Sequence, residues 1–351
     1  MTRRTLLDTR SWNRYDHIMK VVLRFLFAVV AILGGTSATF AQTYTVRTIT
    51  APAYATVASA TVGTSVFRIL STADTRSLVS GSGGLVGTGG TRSTVTIRCV
   101  NGSGGANACN VVTNLARIKI GTNGTFTGRA QTTSNYTVTA GASTTLGSVT
   151  TNGDGSIEFT MGGWTGSNQD RTFTLGMDIG VNGNDAGGTT GAATSSFYAR
   201  AAKNPTTPVT GISQSATITV RRSLVVTKLT DLAFGTMLVP TGTGSVIINA
   251  TTGARTTSGV APIFITGPAF GRATYTITGE SGTTFSISVP ATFTITNGTT
   301  NLTVTTSSSA TGTQTLTGGT FSLGVGGTLP VTAATTRGNY SGSVTVTLAY
   351  N

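Results

Sequence analysis

The chain has 351 residues, of which 9% are charged, and its formal net charge is +13 at pH 7. After residue 41 the basic side chains are scattered, with Arg221-Arg222 as the one adjacent pair, which excludes the clustered basic stripe of a nucleic-acid-binding protein. Glycine (47 residues), threonine and serine dominate, and no long stretch after residue 45 has the composition of an amphipathic helix. The composition therefore predicts an all-β protein.

The beginning of the chain has the three parts of a secretory signal. A basic start at Met19-Lys20 precedes an apolar run (residues 25–33), and small residues follow before Gln42. The run is too short for a spanning helix, which needs ~20 apolar residues. We predict a signal peptide over residues 1–41, cleaved between Ala41 and Gln42, with Met19 as an alternative translation start. The rest of the chain is expected to have no membrane-spanning segment and to reach the periplasm, the cell surface or the medium.

Two cysteines, Cys99 and Cys109, flank the short stretch "VNGSGGANA". An oxidising compartment outside the cytoplasm would pair them in a disulfide. The alternative, a metal site, lacks further ligands, because there is no second cysteine pair and the sole histidine, His17, lies in the predicted signal peptide. The sequence therefore predicts a disulfide between these two residues.

The chain after the signal peptide is long enough for two β domains. Three of its stretches resemble stretches further along the chain, which indicates a weak internal repeat. "GISQSATITVRR" (211–222) resembles the chain end, "FTLGMDIGVNG" (173–183) resembles "FSLGVGGTLPV" (321–331), and "STVTIR" (93–98) resembles "GSVIIN" (244–249). In the first of these similarities Ile218 and Val220 correspond to Val346 and Leu348. We predict a first domain over residues 42–222, with long glycine-rich loops, and a second over 223–351; these ranges are called the first half and the second half below.

The second half contains seven short runs in which apolar and polar residues alternate, separated by turn-forming residues such as Asn297-Gly298. Successive side chains of a strand point to opposite faces, so each run predicts a strand with one apolar face. Seven such strands are typical of an immunoglobulin-like sandwich. The predicted fold is two tandem immunoglobulin-like antiparallel β-sandwich domains.

Four motifs of the second half occur in the order seen in a family of exported bacterial domains. They are "LTDLAFG" (229–235), "ATYTITG" (273–279), "LTGGTFSLGVGGTLPV" (316–331) and "YSGSVTVTLAY" (340–350). The second half thus resembles the family named domain of unknown function 4402. The resemblance implies a β-rich fold and an exported protein more than it implies an activity.

The last strand, predicted over residues 342–350, also resembles that of chaperone–usher pilin subunits. Tyr350 is the penultimate residue and Gly338 is the fourteenth from the end, as in those subunits. The resemblance implies that an assembly chaperone or another subunit adds a strand beside this one. The alternative is that the strand closes its own sandwich. Either way Val344, Val346, Leu348 and Tyr350 share one face and are expected to face the core.

No arrangement of catalytic residues is present in the sequence after the signal peptide. The absence of histidine there excludes Ser-His-Asp and Cys-His designs. The few carboxylates include Asp154 and Glu158, whose surroundings are typical of a turn that begins a strand. We therefore predict that the protein is not an enzyme and has no cofactor or metal.

One stretch, "GGWTGSNQD" (162–170), has the residues of a glycan site. Trp164 would stack on a sugar ring, and Asn168, Gln169 and Asp170 would bind its hydroxyls. The alternative is a tryptophan folded back onto the edge of its own sandwich.

Two functions follow from these observations. The first is a non-enzymatic, fimbria-like structural protein of the cell surface, with itself, other surface subunits or a periplasmic chaperone as partners. The second is a carbohydrate-binding adhesin that uses loops of the first half.

Overall fold

The computed structural model describes residues 41–103 and 108–351 of the chain. Residues 1–40 of the predicted signal peptide lie outside this part. The described residues form 24 strands and no helix, so the all-β prediction is confirmed. Consequently, they include no helix that is long and apolar enough to cross a membrane. Threonine, valine and isoleucine fill the strands because β-branched side chains pack well on a pleated surface.

The first half forms two sheets. The first sheet has six strands: β1 (Thr43–Ile49), β3 (Thr64–Ile69), β4 (Arg76–Ser80), β6 (Ser93–Val100), β8 (Ala130–Ala140) and β12 (Gln169–Asn182). The second sheet has eight strands: β2 (Ala53–Ala58), β5 (Gly84–Val86), β7 (Ala116–Phe126), β9 (Thr145–Leu146), β10 (Thr150–Thr151), β11 (Ile157–Gly162), β13 (Gly191–Lys203) and β14 (Gly211–Arg221). All pairs are antiparallel except β2 with β14, which is parallel.

The two sheets of the first half pack face to face over one hydrophobic core. Phe67, Ile97 and Phe173 come from the first sheet, and Ile118 and Phe197 come from the second; all five side chains are fully buried. Alternate residues of each strand point into this core, as the period of two requires. The first half is therefore a β-sandwich.

The second half also forms two sheets. The third sheet of the protein has seven strands: β15 (Val225–Thr230), β16 (Gly244–Ile248), β17 (Arg255–Gly259), β18 (Ala273–Thr278), β20 (Thr292–Thr296), β21 (Asn301–Ser308) and β23 (Thr320–Val331). The fourth sheet has three: β19 (Thr284–Ser288), β22 (Gly312–Thr315) and β24 (Thr347–Tyr350). Ile277 and Leu323 of the third sheet and Phe285 of the fourth share one buried cluster, so these sheets also form a sandwich.

The strand order of the first sheet recurs in the third. The first sheet runs β1-β6-β12-β3-β4 with β8 paired to β12, and the third runs β15-β18-β23-β16-β17 with β21 paired to β23. The stretches 173–183 and 321–331, which the sequence relates, lie in β12 and β23, the equivalent central strands. The stretches 93–98 and 244–249 are not equivalent, because β6 corresponds to β18 and not to β16. Short Thr-rich runs resemble one another wherever strands occur, so the similarity of 93–98 to 244–249 does not identify equivalent strands.

No strand pairing among the described residues crosses from one half to the other. Hydrogen bonds join the halves instead. Thr190 Oγ1 donates to Glu280 Oε1 at 2.9 Å, and the backbone N–H of Arg222 donates to Glu280 Oε2 at 3.0 Å. One carboxylate therefore binds both Thr190 of the first half and the connection between the halves, defined as residues 222–224 between β14 and β15.

Candidate functional site

The last strand of the chain is shorter than its sequence predicts. Alternation predicts a strand over residues 342–350, whereas β24 covers Thr347–Tyr350 and residues 342–346 have no strand pairing. A strand exists only where its backbone groups meet a partner, and β19, the partner of β24, ends at Ser288. The prediction of a full-length strand is therefore wrong in extent.

The predicted face of the last strand nevertheless keeps its alternation. Val344, Val346, Leu348 and Tyr350 are partly buried, and the residues between them are exposed. Val346, Leu348 and Tyr350 pack against the cluster that contains Phe285. The expectation that these side chains face the core is met only in part, because none of them is fully covered.

One edge of β24 pairs with β19, and no described strand pairs with its other edge. The chain from Gly338 to Asn351 contains no charged residue and no proline. Natural proteins usually protect an exposed edge with lysine, proline or a bulge, because the unpaired N–H and C=O groups accept another strand. This edge has none of these protections.

Tyr350 fixes the end of β24 to the connection between the halves. Its hydroxyl donates to Arg222 O at 2.9 Å and accepts from the backbone N–H of Glu280 at 2.8 Å. The guanidinium of Arg221 lies 5.7 Å from the centre of the Tyr350 ring. Burial raises the pKa of the Tyr350 hydroxyl above its ordinary value of 10.0, so the group remains a neutral donor. The penultimate tyrosine therefore has a structural role at this junction.

Gly338 lies apart from β24, in a segment without strand pairing. Its φ of +150° disfavours other residues, and a Cβ there would lie 3.2 Å from the Cβ of Asn297. A close contact with the turn at Asn297 thus accounts for this glycine. Its predicted role in assembly remains a prediction.

Trp164 is not the exposed platform that a glycan site requires. Only 5% of the residue is exposed, its ring lies 5.0 Å from that of Tyr44 between centroids, and its Nε1 donates to Gln169 O at 3.0 Å. A sugar needs an open ring face to stack on, and this ring is covered by the core of the first half. The glycan interpretation of Trp164 is therefore wrong, and the alternative of a tryptophan folded onto its own sandwich is correct.

The polar residues predicted beside the sugar also have partners within the protein. The Asp170 carboxylate accepts hydrogen bonds from Arg98 at 2.8 and 3.1 Å and from Arg47 at 3.2 Å. Gln169 Oε1 accepts from the backbone N–H of Thr165 at 2.9 Å, and the Asn168 N–H donates to Cys99 O at 2.8 Å. The carboxylate of Asp170 and the amide of Gln169 are thus engaged within the first half, and glycan contact by these residues remains a prediction.

The disulfide between Cys99 and Cys109 lies in the core of the first half, where Cys99 is the strand partner of Tyr44. Gln42, which follows the predicted cleavage point, is buried there and its Nε2 donates to Tyr44 Oη at 2.6 Å. The cleavage itself remains a prediction.

Reduction of this disulfide is expected to destabilise the first half by about 2–3 kcal/mol, the chain-entropy value for a loop of about ten residues. Urea denaturation of the oxidised protein and of the Cys99→Ala, Cys109→Ala double variant would measure the loss. Thiol titration of the unreduced, unfolded protein should detect no free cysteine. Two free thiols would contradict the prediction.

The geometry defines an all-β protein of two sandwiches, with an open strand edge in the second. Residues 224–350 match the family model described as "Domain of unknown function (DUF4402)", which confirms the resemblance of the second half. No curated protein matches the chain.

Among solved structures, the chain is similar to BcpA, the major pilin subunit of Bacillus cereus, at 12% identity and a TM-score of 0.22, covering 67% of this chain and 60% of that one. It is also similar to the CsuC–CsuE chaperone–tip adhesion subunit complex from archaic chaperone–usher Csu pili of Acinetobacter baumannii, at 10% identity and a TM-score of 0.24, covering 74% and 91%. TM-scores this low do not transfer a function.

Proposed function

We propose that the protein is a non-enzymatic, exported structural subunit of a fimbria-like assembly at the cell surface, joined to its neighbour through the open edge of β24. One observation carries the proposal: among the described residues β24 pairs with a strand on one side only, and the apolar face formed by Val346 before it and by Leu348 and Tyr350 within it stays partly exposed. Backbone groups and apolar side chains are thus both available to another strand.

The unpaired stretch of residues 342–346 supports the same function. Its side chains already alternate between partly buried and exposed, as in a strand, although its backbone has no ladder partner. An added strand would supply the missing hydrogen bonds and extend β24 toward the length that the sequence predicts. The partner in this proposal is another surface subunit or a periplasmic chaperone.

The division into domains belongs to this proposal. The first half has its own core, and the two buried clusters of the second half are made of residues beyond Leu224. We place the boundary at Arg222-Ser223, where the junction bonds of Tyr350 and Glu280 converge. In this arrangement the second half would attach the protein to the assembly through β24, and the first half would be displayed at the cell surface.

The proposal is tested by placing a charge on each face of the last strand. Val346→Asp puts a carboxylate on the apolar face, where an added strand would have to bury it, and is expected to abolish surface assembly. Thr345→Asp puts the same charge on the exposed face and should leave assembly nearly unchanged. Immunogold electron microscopy and antibody binding to intact producing cells would measure surface protein.

The melting temperature of each purified variant separates a folding defect from an assembly defect. Val346 is partly buried, so we expect Val346→Asp to cost about 1–2 kcal/mol, which leaves the protein folded. Normal surface assembly of a folded Val346→Asp variant would refute the proposal. Equal loss of assembly in Thr345→Asp would show that the alternation of faces is irrelevant to attachment.

A further inference from the structure

A cleft on the third sheet lies where β15, β18 and β23 run side by side, next to the end of β21. Its volume is about 260 Å³, just below the ~300 Å³ at which typical small-molecule sites begin, so it suits one small ligand. Gly324 and Ser322 lie on the same face of β23, and Leu323 between them is buried in the core. The cleft exists because Gly324, which pairs with Thr274, has no side chain and Ser322 has a small one.

Arg272, just before β18, is held in the wall of the cleft by one of its nitrogens. Its Nη1 donates to Ala250 O at 2.9 Å and also to Thr251 O. The side chain lies across Gly324, where an added Cβ would be 3.1 Å from both Cδ and Nη1 of the arginine. Both hydrogens of Nη1 are thus used.

The other edge of the Arg272 guanidinium has no partner within the part of the chain that the structure describes. No described carboxylate forms an ion pair with this arginine, and no described group accepts a hydrogen bond from its Nε or Nη2. The Nε–Nη2 edge is the one that binds both oxygens of a carboxylate or phosphate in a bidentate pair. The fold therefore fixes the guanidinium and leaves its anion-binding edge available.

Hydroxyl groups supply a second set of contacts in the cleft. Ser309 Oγ accepts from a backbone N–H of β23 at 2.8 Å, so its own hydrogen remains available as a donor. Ser322 is exposed, and its hydroxyl has no hydrogen-bond partner among the described residues. Thr230 donates its hydroxyl hydrogen to Arg272 O at 3.0 Å, so Thr274 is the donor in the 2.7 Å contact between the two threonine hydroxyls. Thr274 Oγ1 is thus left as an acceptor.

The remaining groups around the cleft leave its net charge positive. Lys228 and Asp231, on either side of Leu229 in the sequence, cancel each other, because Lys228 Nζ donates to Asp231 Oδ1 at 2.6 Å. Burial raises the pKa of Tyr275, which lines the cleft, above its ordinary value of 10.0, so its hydroxyl is neutral. Leu229, which is 62% exposed, adds an apolar wall. The charge of Arg272 is therefore not compensated within the cleft.

We infer that the cleft binds a small hydroxylated carboxylate, such as a uronic acid, either as the free acid or as a residue of a polysaccharide. The carboxylate accepts from Nε and Nη2 of Arg272. Hydroxyls beside it accept from Ser309 and Ser322 and donate to Thr274, and the C–H face of the ring lies on Leu229. This site goes beyond the proposed function, because it belongs to the third sheet, whereas β24 belongs to the fourth.

Isothermal titration calorimetry of the purified full chain with sodium galacturonate tests the inference. The usual affinity per atom of a small ligand predicts saturable binding with a dissociation constant on the order of 1 mM. Galactose has the same ring without the carboxylate and should bind at least about 10-fold more weakly, which corresponds to about 1.4 kcal/mol. Equal binding of the two sugars, or no saturable heat with galacturonate, would refute the inference.

Two arginine variants test the contact with the carboxylate. Arg272→Lys keeps the positive charge but loses the Nε–Nη2 edge, so galacturonate should bind at least about 10-fold more weakly. Arg337→Lys is the matched control, because Arg337 is exposed and does not line the cleft, and it should bind normally. Normal binding by Arg272→Lys would overturn the assigned contact.

A second pair of variants leaves Arg272 and its backbone contacts intact. Ser322→Asp places a carboxylate in the cleft, where it competes for the arginine, and should abolish galacturonate binding without lowering the melting temperature. Thr320→Asp places the same charge two residues earlier on the same face of β23, outside the cleft, and should bind normally. Equal binding by these two folded variants would place the ligand elsewhere and refute the site.

Two further ligands test the class and the source of the carboxylate. Inorganic phosphate that binds as tightly as galacturonate would overturn the inferred class, because the arginine alone would then determine binding. Oligogalacturonate that binds more tightly than the monomer would support the site and identify a polysaccharide as the source. Equal binding of oligomer and monomer would support the site with the free acid as its ligand.

Discussion

Replacement of Trp164 by alanine is expected to lower the free energy of unfolding of the first half by about 3–5 kcal/mol, the usual cost of removing a large buried aromatic side chain. The indole is 5% exposed, packs against Tyr44 and donates a hydrogen bond to Gln169 O, so its loss leaves a cavity and an unpaired carbonyl.

Trp164→Ala removes the one tryptophan after the predicted signal peptide, so unfolding must be followed by circular dichroism or calorimetry. Two sandwiches need not unfold in one step, and calorimetry separates their transitions. Val112→Ala is the matched control, because Val112 is 89% exposed and its truncation should change stability by less than about 0.5 kcal/mol. A loss below about 1 kcal/mol for Trp164→Ala, together with quenching of wild-type fluorescence by a glycan, would restore the platform interpretation.

Removal of the Arg68 side chain is expected to cost about 3 kcal/mol. Arg68 donates two hydrogen bonds to the Asp178 carboxylate, at 2.6 and 2.7 Å, and Asp178 is fully buried between the strands of the first sheet. In Arg68→Ala the described residues leave the carboxylate one hydrogen bond, from Asn135 at 2.9 Å, and an uncompensated buried charge typically costs 3–5 kcal/mol. We expect the lower end, because the Arg68 side chain is itself 34% exposed.

Two further variants show whether the buried charge is the cause. Asp178→Asn in the Arg68→Ala background removes the charge and should recover part of the lost stability. Arg47→Ala breaks an ion pair with Asp170 whose side chains are 46% and 35% exposed, and should cost less than about 1 kcal/mol. Chemical denaturation measures all three variants. Similar losses for Arg68→Ala and Arg47→Ala would show that water screens both pairs alike.

The last strand shows how far sequence reasoning extends at the candidate site. Alternation identified the face formed by Val346, Leu348 and Tyr350, and the structure packs these three against the core of the second half. It overestimated the length of the strand, because residues 342–346 have no partner to complete the ladder. Periodicity belongs to the strand alone, whereas a ladder needs a second strand.

Trp164 shows the corresponding limit for a binding site. Glycines and amide side chains around a lone tryptophan are equally compatible with an exposed platform and with a buried ring. The decision depends on Tyr44, far away in sequence, whose ring covers the indole. The hydrogen bond from Trp164 Nε1 to Gln169 O could not be predicted from the sequence, because its acceptor is a backbone carbonyl and every residue has one.

The sequence by itself determined that the protein is built of strands, because β-branched residues in a period of two have no other compact arrangement that buries one face. It also determined the family of residues 224–350, whose motifs are read without knowledge of pairing. Only the tertiary structure decided which strands pair. The stretch 211–221 and the chain end alternate in the same way, yet β14 is enclosed by β13 and β2, whereas β24 has one neighbour among the strands of the described residues. The physical reason is that pairing depends on backbone groups distant in sequence, and local alternation contains no information about them.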